Sequence, residues 1–222
     1  MNASNVEIMD RLRSSVPGEV FDYQCLLGAL ADYDNPRNKI TRLLDSGLVV
    51  RIRKGLYCFG RSFRKRMPAR EYLANLIYGP SYVSLDYALS YHGFIPENVV
   101  TVTSVTPIRS AEFATPLGNF SYKMLLGERY SYGADLVSAG DASFLIAGPE
   151  KALIDKVWVD KRFSGRNVSD FGIYLTEDLR IESDMLNTLN QRLLLAIADA
   201  YDSLKIYNLI KFLKQMKGGA RA

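Results

Sequence analysis

Residues 35 to 59 read NPRNKITRLLDSGLVVRIRKGLYCF. The stretch predicts one helix that runs directly into a basic β-hairpin. Asn35 is placed as the helix N-cap. Pro36 takes the first helical position, where its missing N–H costs nothing. Gly47 stands where a left-handed residue ends a helix. At about 100° per residue, Pro36, Ile40, Leu43 and Leu44 fall on one side of this helix. Asn38, Thr41, Arg42 and Asp45 fall opposite, flanked by Arg37 and Lys39. A tight turn at Lys54-Gly55 would pair Ile52 with Tyr57 and Val50 with Phe59. Those four would then share a buried face, with Arg51 and Arg53 on the other. Lys is not the usual first residue of a primed two-residue turn, so a slightly longer loop stays open. Either version leaves Arg51, Arg53 and Lys54 near the tip.

Charge follows the same stretch. From Asn35 to Pro68 there are ten Lys and Arg against one acid, Asp45, a net charge of +9. Residues 1 to 68 carry 12 basic and 7 acidic side chains, net +5, and residues 69 to 222 carry 16 and 17, net −1. A basic face gathered on one small module is the electrostatic footprint of a nucleic-acid binder. A helix with one apolar and one polar face, followed by an Arg-rich hairpin, is how a winged helix-turn-helix meets DNA.

Working outward, residues 5 to 15 predict a first helix, broken at Val16-Pro17-Gly18. Phe21 is a short extended element. Asp22 caps a second helix to about Ala31. Beyond the hairpin, GRSFRKRMP (residues 60 to 68) reads as a basic linker. The rest predicts helices at 69–78, 84–92, 149–158, 184–199 and 201–217. Strands are predicted at 99–106, 118–126 and 142–147. The expected fold is α+β. A winged helix-turn-helix would occupy residues 1–60, the basic linker 61–68, and a mixed helix and small-sheet domain ending in helices 69–222.

Asn and Arg make bidentate contacts to base edges, and Lys usually meets phosphate. The DNA-contacting set is therefore Arg37, Asn38, Lys39, Thr41 and Arg42 on the helix. Arg51, Arg53 and Lys54 join it from the wing, and Arg64, Lys65 and Arg66 from the linker. The competing reading is a winged helix that serves as a protein-interaction or RNA-binding module. Near the C-terminus, Lys211, Lys214 and Lys217 recur every third residue. They read either as a second basic surface for nucleic acid or a partner, or as a solvated face suited to a helix C-terminus.

No catalytic constellation assembles. The single histidine, His92, sits at the end of a helix, a favourable place by itself. No GxGxxG, GxxxxGKS or GxSxG motif is present. Asp170-Phe171-Gly172 lacks every companion motif of a kinase. Glu177, Asp178, Glu182 and Asp184 read as a solvated loop and helix start rather than a metal site. Cys25 and Cys58 form no CxxC or Cys/His cluster, so neither a zinc site nor a disulfide framework is expected. The residues call for no enzyme activity, no metal and no cofactor. The N-terminus lacks an apolar signal core, and no apolar run nears the roughly 18 residues of a membrane span. A cytoplasmic, non-membrane protein is expected.

Three stretches resemble a known family. They are KITRLLDSGLVVRIRKGLYCF (residues 39–59), YVSLDYALSYHGFIPE (residues 82–97) and FLIAGPEKALIDKVW (residues 144–158). Together they are similar to the AbiEi-like antitoxins of type IV toxin–antitoxin systems, encoded in bacterial abortive-infection operons. The resemblance covers most of residues 5 to 160 and none of the last sixty. It implies a repressor that binds inverted repeats in double-stranded DNA at its own operon. It also implies an antitoxin, acting largely through the second domain, with a nucleotidyltransferase-like toxin as functional partner.

Overall fold

The structure is a computed structural model that describes residues 3–140 and 142–219. The first third comprises α1 (Ala3–Ser15), β1 (Val20–Asp22), α2 (Tyr23–Ala29), α3 (Pro36–Asp45), β2 (Val49–Arg53) and β3 (Leu56–Phe59). Asp22 caps α2: its carboxylate accepts the Cys25 N–H at 2.9 Å. That bond is the main cause holding the Asp22 carboxyl below its ordinary range. α3 begins at Pro36, but Asn35 makes no side-chain capping bond, so the expected cap is positional only. The far end of α3 closes as expected. Gly47 has φ 68. Its N–H reaches Leu44 O at 3.0 Å, and the Leu48 N–H reaches Leu43 O at 3.1 Å. These two bonds make a Schellman motif, which needs a left-handed residue at that position.

The three strands form an antiparallel sheet in the order β1-β3-β2. The turn does fall at Lys54-Gly55, with Arg53 facing Leu56, but the register then shifts by one. Arg51 faces Tyr57, Val50 faces Cys58 and Val49 faces Phe59. The expected pairs Ile52–Tyr57 and Val50–Phe59 are therefore wrong. Ile52 is the extra residue of a β-bulge, and a slip of one residue exchanges the faces of every position beyond it.

The consequence is a sheet buried on both sides. Phe21, Val49, Tyr57 and Phe59 join Ile8, Leu12, Leu26, Ile40 and Leu43 in one apolar cluster. Ile52 and Cys58 belong to a second cluster, which fills the rest of the protein, with Val20, Val50 and Leu56 packed against it.

That second cluster is organised by a six-stranded mixed sheet. In chain order come α4 (Arg70–Ile77), β4 (Tyr82–Val83), α5 (Leu85–Tyr91), β5 (Val102–Thr106), β6 (Ala111–Thr115) and β7 (Gly118–Met124). Next are α6 (Glu128–Ser131), β8 (Ala134–Ala139), β9 (Ala142–Ala147) and α7 (Pro149–Val159). Then α8 (Asp170–Ile173) runs into a π-helical turn (Tyr174–Asp178), followed by α9 (Ser183–Thr188), α10 (Gln191–Asp199) and α11 (Leu204–Gly219). The sheet order is β6-β7-β5-β4-β9-β8, with β4–β9 and β5–β7 parallel. The fold is α+β, as expected, although the sheet is twice the size foreseen.

Two helix starts depart from the simple rules for clear reasons. Ser84 occupies the N-cap position of α5 without capping it. Its hydroxyl instead donates to Asp155 at 2.7 Å. The single helix expected over 184–199 is two helices. Asn190 breaks it by accepting the N–H groups of Arg192 and Leu193 at 3.0 and 3.2 Å, so α10 starts afresh.

Candidate nucleic-acid interface

α3 presents the face expected of it. Ile40 and Leu43 are buried, while Arg37, Asn38, Thr41 and Arg42 are exposed. The Thr41 hydroxyl donates to the Arg37 carbonyl at 3.2 Å. Lys39 is half-buried, with its ammonium 5.3 Å from the centre of the Tyr33 ring.

The hairpin arginines do not act alike. Arg51 and Lys54 are exposed. The bulge turns Arg53 the other way: it is half-buried, with its guanidinium 5.5 Å from the centre of the Phe113 ring on β6. Arg53 thus stitches the hairpin to the second core.

The basic segment after the hairpin is anchored rather than free. Arg13 pairs with buried Glu19 at 3.1 Å and donates to the Phe63 carbonyl at 2.6 Å. Glu19 in turn accepts the Lys65 N–H at 3.3 Å. Arg64 is half-buried beside Cys58, whose thiol is pushed up by burial and pulled back by that guanidinium. Arg66 lies against Gly140, where an added Cβ would come within 2.7 Å of its Nη1. The side chains of Lys65 and Arg66 are exposed. Arg13 and Glu19, which hold this segment in place, carry no sequence signal beyond being a charged pair six residues apart.

At the other end, the row of C-terminal lysines divides. Lys211 and Lys214 are exposed and line a groove of about 560 Å³ between α10 and α11. Lys217 donates to the Leu189 carbonyl at 2.7 Å and so satisfies the end of α9. His92 is tied down too: its Nε2 lies 2.8 Å from the Ala147 carbonyl. Glu177, Asp178, Glu182 and Asp184 do not converge. Among the described residues no three His, Cys, Asp or Glu side chains gather where a metal could be held. No helix among them is long and apolar enough to cross a membrane.

The strongest polar feature was not foreseen. Lys151 and Asp155, one turn apart on α7, are 1% and 0% exposed and lie 2.6 Å apart. The Lys151 ammonium also donates to the Arg129 carbonyl at 2.5 Å and to the Tyr201 hydroxyl. Asp155 accepts from Ser84 at 2.7 Å, from Tyr82 at 3.1 Å and from Tyr201. Desolvation pushes the Lys151 pKa down, against the pull of Asp155. Every group in the centre has a partner, which is the condition under which such burial is tolerated. The available signal was an i,i+4 Lys–Asp pair flanking the apolar Ala152-Leu153-Ile154 of PEKALIDKVW.

Tyrosine ionisation offers a test of this packing. Burial, reinforced by Asp155, raises the Tyr82 and Tyr201 pKa values far above the ordinary 10. Burial also raises Tyr87, Tyr122 and Tyr174. A raised folded pKa contributes stability that is complete below the unfolded value and is lost as pH rises past it. Stability should therefore fall above about pH 10. In an alkaline titration, tyrosinate absorbance from these five should appear in one step, together with loss of the far-ultraviolet circular dichroism. Ionisation of all tyrosines while the dichroism stays intact would contradict the buried arrangement.

No model of a known protein family matches the chain, and no curated protein matches it.

Proposed function

We propose that the first third of the chain is a winged helix-turn-helix that binds operator DNA, with α3 as recognition helix and the β2–β3 turn as wing. One observation carries this reading. Arg37, Asn38, Thr41 and Arg42 form an exposed face on a helix whose other face is buried, and exposed Arg51 and Lys54 follow on the adjoining hairpin. A face of that width fits a major groove, and the hairpin cations suit the flanking phosphates. Arg53 is assigned away from DNA by its contact with Phe113.

The test is a mobility-shift assay on the DNA just upstream of the gene. Arg42→Ala should cost about 1–3 kcal/mol if Arg42 reads a base. Arg51→Ala with Lys54→Ala should weaken operator and random DNA alike. Each lost phosphate contact should lower the slope of log affinity against log salt by about 0.9. Arg53→Ala should leave that slope unchanged. Unaltered operator affinity in both Arg42→Ala and Asn38→Ala would end the recognition-helix assignment.

We further propose that the protein is a repressor of its own operon and an antitoxin against a nucleotidyltransferase-like toxin. This part rests on the family resemblance. It is supported by how the two resembling segments of the second domain meet. Tyr82 and Ser84 from the first bond to Asp155 of the second, and Lys156 pairs with Asp86 at 2.7 Å. Two motifs that form one buried centre are what a shared domain fold requires. Co-expression with a toxin encoded beside the gene should restore growth, and failure to do so would remove the antitoxin reading while leaving the DNA reading untouched.

A further inference from the structure

A cleft of about 790 Å³ opens between the C-terminal end of α7 and strands β5 and β7. Its charge is unbalanced. Lys123, Lys156, Lys161 and Arg162 line it against Asp86 and Asp160, a net charge of +2. Two of the cations are committed: Lys156 pairs with Asp86 at 2.7 Å and Arg162 with Asp160 at 3.4 Å. Lys123 and Lys161 have no carboxylate or hydrogen-bond partner among the described residues, and Lys123 is half-buried. The Ser121 hydroxyl, one pleat from Lys123 on the same strand face, is likewise unpartnered among them.

Beside Thr103 and Ser110, the remaining wall is apolar, formed by Leu85, Met124, Val159 and the half-buried ring of Trp158. Leu85 sits at φ 59, a left-handed conformation that a branched side chain adopts only when its surroundings impose it. Backbone strain of that kind concentrates at ligand sites.

We propose that this cleft binds a nucleotide, with the phosphates on Lys123, Lys161 and Ser121 and the base against the apolar wall. Two unpaired ammonium groups and a hydroxyl match a polyanion of small size. A partly exposed indole and thioether offer a flat, polarisable surface to a heterocycle. A concave site with an apolar wall and a few convergent polar groups has the usual make-up of a small-molecule pocket. The site lies apart from the α3 face, and its occupancy is independent of whether the protein binds an operator.

Trp158 is the only tryptophan of the chain, so fluorescence excited apart from the tyrosines reports on this one ring, which lines the cleft and packs also against Tyr201 and Arg129. The full-length protein is titrated with ATP, inorganic pyrophosphate and adenosine, and calorimetry follows binding that leaves the fluorescence unchanged. ATP should bind saturably, pyrophosphate more weakly, and adenosine not measurably. Lys123→Ala with Lys161→Ala should weaken ATP by about tenfold or more, whereas Lys211→Ala with Lys214→Ala should not. Lys161 is exposed, so Lys161→Ala alone will fold and should show part of the loss. Absence of saturable binding of both ATP and pyrophosphate overturns the proposal. So does unchanged ATP affinity in the lysine variants. A single-stranded oligonucleotide that binds at Lys123 and Lys161 and is not displaced by ATP overturns it in favour of a polynucleotide groove.

Discussion

Replacement of Asp155 by alanine is expected to remove about 3–5 kcal/mol of folding stability, the loss seen when one partner of a buried ion pair is deleted. Lys151, 1% exposed, would be left as an uncompensated buried cation. Ser84, Tyr82 and Tyr201 would lose their acceptor at the same time. Set against a total stability of about 5–15 kcal/mol, this single change approaches global unfolding. Adding Lys151→Met to the Asp155→Ala variant removes the stranded charge and should recover part of the loss. Denaturant unfolding at neutral pH measures both. A loss below about 1 kcal/mol in Asp155→Ala, the size of one ordinary hydrogen bond, would mean that the pair is not the structural centre described. The double variant also separates charge from packing. No recovery would assign the whole loss to the orphaned hydroxyl groups and the cavity.

Gly60→Ala is expected to be nearly as damaging for a different reason. A Cβ at residue 60 would lie 1.8 Å from the Gly47 carbonyl oxygen and 2.9 Å from the Leu48 carbonyl carbon. Those atoms are backbone, locked by the Schellman bonds at the end of α3 and by the Gly60 N–H, which donates to Leu48 O at 2.8 Å. No flexible side chain can yield, so the hairpin base and the end of α3 must separate. The cost should exceed about 3 kcal/mol, beyond ordinary overpacking. The DNA binding proposed above should fall with the fold, because Gly60 ties the end of the β2–β3 hairpin to the chain just after α3. Gly18→Ala is the matched control. An added Cβ there meets nothing within 4 Å, and the change should stay within about 0.5 kcal/mol. Equal thermal unfolding of the two variants would refute the close approach at Gly60.

The legible parts of this protein were those governed by short-range rules. The Asp22 cap, Pro36 at the start of α3 and Gly47 at its end depend on a few adjacent residues, and each stands where the pattern puts it. The exposed face of α3 follows from helical periodicity, which no distant contact alters. The hairpin shows where such rules stop. Its turn was legible, but its register was not, because the bulge at Ile52 is settled by which residues find an apolar surface on each side. The helices α1–α3 take Val49, Tyr57 and Phe59 on one face, and the second core takes Ile52 and Cys58 on the other. That second surface comes from residues beyond the basic segment, from Leu73 onward, so alternation within VVRIR cannot report it. β8 was invisible for a related reason. It is an edge strand with no fully buried residue, and a strand without a buried face has no alternating pattern.

Sequence alone determined the α+β class, the basic helix and hairpin, the concentration of charge before residue 68, and most helix ends. These are consequences of local stereochemistry and of charge, both carried by neighbours in the chain. Only the tertiary structure decided that the hairpin is shared between two cores and that Arg53 faces Phe113. It alone decided that Lys217 caps α9 while Lys211 and Lys214 line a groove, and that Lys151 and Asp155 are buried against Tyr82, Ser84 and Tyr201. A charged side chain reads as solvent-facing until its partners are known. Here those partners lie 46 to 73 positions from Asp155, and only folding brings them within reach.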